Sequence, residues 1–136
     1  MLKINKIWFD GEWLYGLGDD GKTYRQSLLW YRELLDAPDE IRNDYRFVFD
    51  GIFWNRADVQ VSFESFQYDE AEPSPMQRFF LTHPEINVSG FAQKAGINAA
   101  LLRNYINGFK KPSREREDEI LASVRSLGKE YSSASF

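Results

Sequence analysis

Between Ile86 and Gly108 the chain carries helix-start, helix-stop and small residues at a spacing that leaves little choice of local structure. The Asn87 side chain can accept from the free amides of a helix's first turn. Ile86 before it and Phe91 after it can clamp that turn as a hydrophobic staple. Gly96 can take the left-handed conformation that closes the helix. Ile97 then returns to the core, and Asn98 can cap a second helix running to Gly108. Two short helices joined by a glycine-containing turn form a helix-turn-helix. Its helices cross closely, which requires a small residue on the first, and Ala92 is that residue, four positions before Gly96. Phe91, Ala95, Ile97, Leu102 and Tyr105 flank these positions at helical spacing as the buried face.

This constellation resembles the Xre/Cro-type repressor helix-turn-helix family. The likeness continues through Ile106-Asn107-Gly108-Phe109-Lys110-Lys111-Pro112-Ser113, which is similar to the family's IENGKRKPS ending. The resemblance implies a second helix lying in the major groove of double-stranded DNA, with Asn98, Ala99, Ala100, Arg103 and Asn104 facing the bases. Arg103 can donate twice to guanine O6 and N7, and Asn104 can pair with adenine. Lys110, Lys111 and the amides at Ser113 are placed for phosphates. The chain departs from the family at Val88, where glutamine is usual, and at Ala99 and Ala100, where polar groups are usual. Alanine touches a thymine methyl but donates nothing, so base readout rests mainly on Arg103 and Asn104. A homodimer spanning two half-sites is expected to supply the remaining discrimination. The blander readings are a solvated turn at Lys110 and Lys111, Arg103 paired with a neighbouring glutamate, and a helical protein-interaction module that never meets DNA.

Around this motif, Ser113 is predicted to cap a last helix whose first turn holds Glu115, Glu117 and Asp118, favourable at the positive helix end. Ile120, Val124, Leu127 and Tyr131 mark its buried face. Upstream, Ser74-Pro75 starts a helix through Met76, Phe79, Phe80 and Leu81, ended at His83-Pro84, where a capping or surface role suits the lone histidine. Four to five short helices over 76–131 result, followed by a frayed tail at 132–136.

The stretch Asp69-Glu70-Ala71-Glu72-Pro73-Ser74-Pro75 resists both helix and central strand, so 71–75 reads as a linker. Up to Pro73 the chain has eight lysines and arginines against fifteen carboxylates, and beyond it nine against six, so net charges of −7 and +3 meet at this seam. All four tryptophans precede it. In residues 1–70, Asp10-Gly11, Asp20-Gly21 and Asp50-Gly51 each predict a hairpin turn. Strands are expected near 3–9, 12–17, 22–27, 45–49 and 52–54, with one helix between Ser27 and Arg42 whose pattern stops at Ala37-Pro38. This is a small antiparallel sheet covered by a helix, with the tryptophans, Phe47, Phe49 and Phe53 as core candidates. Aromatic residues on a sheet can also stack on single-stranded bases, but a charge of −7 repels phosphate, which favours core packing. The segment from Trp54 to Phe66, with Trp54 and Asp58, resembles a small bacterial family of unknown function that ends in a Trp-Pro-x-Gly-x-Asp-like motif, although Asn55 stands where that family has proline. Such domains are often encoded beside a small toxin-like protein, which the resemblance implies.

Cysteine is absent, which excludes disulfides and thiolate metal sites. Asp19, Asp20, Asp39, Asp44 and Asp58 lack metal-ligand spacing, and no phosphate loop or nucleophile–base pair appears. Neither an enzyme nor a cofactor is expected. With no apolar run near the ~20 residues that span a bilayer and no signal-peptide pattern, a cytoplasmic location without membrane contact is expected. The sequence therefore reads as an α+β protein, a β-meander with one helix followed by an all-α helix-turn-helix domain. The expected function is a DNA-binding transcriptional regulator, elaborated as an antitoxin whose acidic domain covers a toxin-like protein. The alternative is a protein-interaction adaptor that uses both domains without DNA.

Overall fold

In the computed structural model, which describes residues 1–68 and 72–136, the three Asp-Gly pairs do different jobs. Strands β1 (Ile4–Asp10), β2 (Trp13–Gly18) and β3 (Thr23–Ser27) form an antiparallel meander in that order. Asp10 pairs with Trp13, so the first loop is Gly11-Glu12 rather than Asp10-Gly11. Gly11, at φ +58°, takes the central position that needs a positive φ. The second pair, Asp20-Gly21, lies in a longer loop before β3. At the third, Val48 of β4 (Arg46–Val48) pairs with Gly51 of β5 (Gly51–Trp54), which leaves Phe49-Asp50 as the loop. Gly51 belongs to the strand, and a Cβ there would sit 2.4 Å from the Val61 carbonyl oxygen. Val61 lies on β6 (Val59–Ser62), which the sequence reading had not resolved as a strand. β6 pairs with β5, so the single expected sheet is two three-stranded antiparallel sheets, β1-β2-β3 and β4-β5-β6.

The helix predicted between Ser27 and Arg42 is broken into three pieces. Ser27 accepts from the Leu29 amide at 3.1 Å and starts a 3-10 turn at Leu28–Trp30. Tyr31, with φ −131° and ψ 73°, interrupts it before α1 (Arg32–Leu35). Pro38 forbids continuation through Ala37 and precedes α2 (Asp39–Arg42). The Arg42 guanidinium donates to the Leu34 and Leu35 carbonyls at 2.9 Å each, and the Trp54 indole donates to the Arg42 carbonyl at 2.8 Å. Carbonyls that a continuous helix would have satisfied are thus served from a distant side chain.

The core also differs from expectation. Trp54 is fully buried with Leu14, Leu28, Leu34, Ile52 and Val61. Trp8, Trp13, Trp30 and Phe53 are only half-buried, while Phe47 is 44% and Phe49 80% exposed. For Trp8 and Trp13 the cause is strand alternation. Ile7 and Leu14 face the core, which turns Trp8, Trp13 and Tyr15 to the opposite face. There Trp8 and Tyr15, cross-strand partners, stack at 5.5 Å and 4°.

The chain divides into two compact units, Met1–Pro73 and Ser74–Phe136. Residues 69–71, which include the first residue of the expected linker, lie outside the described residues. The second unit is all-helical: α3 (Pro75–Leu81), α4 (Val88–Ala95), α5 (Ala99–Ile106) and α6 (Arg114–Ser132). Its core joins Phe80, Phe91, Ala92, Ile97, Leu102, Tyr105, Ile106 and Ile120. Val124 and Leu127 are half-buried and Tyr131 is 74% exposed, so the buried face expected along α6 is complete only at Ile120. No described helix is long and apolar enough to cross a membrane.

Candidate nucleic-acid interface

Local chemistry fixes the α4–α5 pair. The Asn87 side chain accepts from the Gly90 amide at 3.0 Å and starts α4. Gly96 ends it at φ +72°, and the Ile97 amide bonds back to the Ala92 carbonyl at 2.9 Å. Gly96 is exposed, with open space where a Cβ would be, so glycine is required there by backbone conformation alone. Ala92 is fully buried, as is Leu102, and Phe91, Ile97 and Tyr105 are nearly so. Ala95 is half-buried at the edge of the same cluster.

A residue absent from the sequence reading holds α5 in place. Gln77 of α3 is 8% exposed, and its side-chain amide donates to the Tyr105 carbonyl at 2.9 Å. Its Oε1 accepts from the Ser74 amide at 2.8 Å while the Ser74 hydroxyl accepts from the Gln77 amide at 3.2 Å. The signal was present as the Ser-x-x-Gln spacing of a capping box.

The five proposed base-reading residues are not equivalent. Ala100, Arg103 and Asn104 are exposed on α5. Asn98 is also exposed, but its Oδ1 accepts from the Leu101 amide at 3.0 Å, so only its NH2 group is free to meet a base. Ala99 is half-buried against the core, which removes its methyl from the outer face. Arg103 donates through Nη2 to the Ser89 hydroxyl on the first turn of α4. It does not pair with a glutamate among the described residues, and Ser89 is a second residue that pattern reading missed, because nothing in its local sequence marks it. Arg103 keeps its Nη1 and Nε donors beside that contact.

Past α5, the Asn104 carbonyl accepts from the amides of Phe109 and Lys110 at 2.9 and 3.2 Å. This closure leaves Lys110 and Lys111 exposed at the helix end, beside Phe109, which is 81% exposed. Ser113 accepts from the Arg116 amide at 3.1 Å, so its hydroxyl oxygen serves as the α6 cap. Glu115 and Glu117 occupy that helix's first turn. Among the described residues no cluster of three or more His, Cys, Asp or Glu could hold a metal ion. Compared with protein-family models, curated proteins and solved structures, the chain gives no match.

Proposed function

We propose that the second unit is a helix-turn-helix that binds double-stranded DNA through α5, and that the protein is a transcriptional regulator of its own operon. The supporting observation is the exposed row Ala100, Arg103 and Asn104, with Arg103 held by Ser89 and two lysines at the helix end that form no ion pair among the described residues. Exposed guanidinium and carboxamide groups on one helix suit base edges in the major groove, and lysines at its end suit phosphates. The net charge of +3 on this half favours a polyanion. On a duplex selected from a random pool, Arg103→Ala is expected to cost about 1–3 kcal/mol and to relax preference at one base. Lys110→Ala should weaken all duplexes alike and flatten the salt dependence. Equal affinity of both variants and wild type would refute this role for α5 and favour the adaptor reading.

A protein partner at the acidic unit is a second element of the proposal. Five of that unit's eight cations lie over aromatic rings: Lys3 on Phe49, Lys6 on Trp8, Arg25 on Trp13, Arg42 on Phe9 and Arg46 on Phe53. With five cations occupied on rings and a net charge of −7 up to Pro73, the unit offers a carboxylate-rich surface suited to a basic, toxin-like protein. Failure of a neighbouring gene's product to co-purify would count against it.

A further inference from the structure

Two apolar grooves run along α6. The first, of about 610 Å3, lies between Ile86 and Phe91 on one wall and Leu127 and Gly128 on the other. The second, of about 310 Å3, lies between Met76 of α3 and Leu121 of α6. Phe79 and Val124 line both, so the two adjoin. From Glu117 at the second to Tyr131 at the first, α6 rises about 21 Å at 1.5 Å per residue. A Cβ at Gly128 would meet nothing within 4 Å. Glycine inside a helix is destabilising relative to alanine, and no close contact among the described residues requires it here. It does allow another backbone to approach α6 closely.

We propose that the joined grooves take a basic amphipathic helix of a partner protein, its apolar stripe against Phe79 and Val124 and its lysines or arginines against the rim. Charge selects this occupant. Glu85 lines the first groove and Glu117 and Asp118 the second, and none of the three forms an ion pair among the described residues. Lys94 is the only lysine or arginine among the residues that line them, and Glu130 holds it at 2.6 Å. Arg125 and Lys129, on the same helix, line neither groove. The charge left to a partner is therefore negative in both grooves, which favours cations and repels an acidic segment. The unit is all-helical, so an extended segment would find no sheet edge to pair with, whereas a helix satisfies its own backbone. The inference goes beyond the DNA-binding proposal and rests on none of the residues of α5.

Fluorescence anisotropy of a labelled leucine–lysine peptide of about 14 residues, long enough as a helix to span the 21 Å, tests this on the full chain. Its leucines recur at helical spacing on one face. Binding is expected, and a counterpart with glutamate in place of every lysine should not bind. Gly128→Leu fills the groove while favouring the helix. That variant, and the pair Glu85→Lys with Asp118→Lys, should each weaken binding by about tenfold or more at unchanged helix content. No binding, equal binding of both peptides, or binding that either set of substitutions leaves intact overturns the inference. So does a second copy of the chain, or a small apolar molecule, that fills the groove and excludes the peptide. A chain that binds the peptide but no duplex would remove the DNA-binding proposal and leave the groove standing; one that discriminates between duplexes but ignores the peptide would do the reverse.

Discussion

Truncating Gln77 to alanine separates the forces that hold α5 in place. The wild-type side chain makes two bonds, to the Tyr105 carbonyl at 2.9 Å and from the Ser74 amide at 2.8 Å, in a site 8% exposed. Each such bond contributes about 0.5–1.5 kcal/mol net, and the lost methylene removes about 0.8 kcal/mol of burial. The Tyr105 carbonyl also accepts from the Asn107 amide, which keeps its share at the low end. The sum is about 2–3 kcal/mol. In a domain of this size each kcal/mol lowers Tm by about 4–8 °C, so a fall of about 10 °C or more is expected. The assay can address one unit at a time. All four tryptophans lie in the first unit and the second is all-helical, so tryptophan fluorescence follows one and far-ultraviolet helix signal chiefly the other. The helix transition should move while the fluorescence transition stays. A loss below about 0.5 kcal/mol, or equal shifts in both signals, would refute the reasoning.

Gly51→Ala places a Cβ 2.4 Å from the Val61 carbonyl oxygen, so β5 and β6 must separate. Urea unfolding followed by tryptophan fluorescence should show a loss at the upper end of the about 1–3 kcal/mol typical of overpacking. Tyr24→Phe tests a surface pair: the Tyr24 hydroxyl donates to Asp20 at 2.5 Å and, with the Lys22 amide, holds that carboxyl below its ordinary value. A depressed carboxylate pKa adds stability above the unfolded-state value that is lost as pH falls through the folded one. The variant should therefore raise the Asp20 pKa in a carboxyl-carbon NMR titration and show less acid-dependent loss of stability; an unmoved Asp20 would contradict the assigned cause.

What was legible in the sequence was local chemistry. Asn87, Asn98, Ser74 and Ser113 all cap helices because capping requires only a side-chain oxygen within three residues of a free amide. Gly96 was readable for the same reason. The same chemistry cost one proposed DNA contact part of its capacity, since the oxygen of Asn98 is occupied by its own helix. Long-range effects were not legible. The Leu34 and Leu35 carbonyls at the end of α1 are served by Arg42, whose own carbonyl is held by Trp54 twelve residues further along the sequence. The tryptophans could not be sorted into core and surface by residue type, because Trp8 and Trp54 differ only in which face of which sheet they occupy. Tyr131 fits the spacing of a buried face, yet it is 74% exposed.

Fluorescence anisotropy of the full chain on the duplex upstream of its own gene, against a scrambled duplex over a salt series, tests the DNA-binding claim most directly. Tighter binding to the upstream duplex that persists near physiological salt is the expected result. Equal binding to both that salt abolishes, or no binding at low salt, would contradict it.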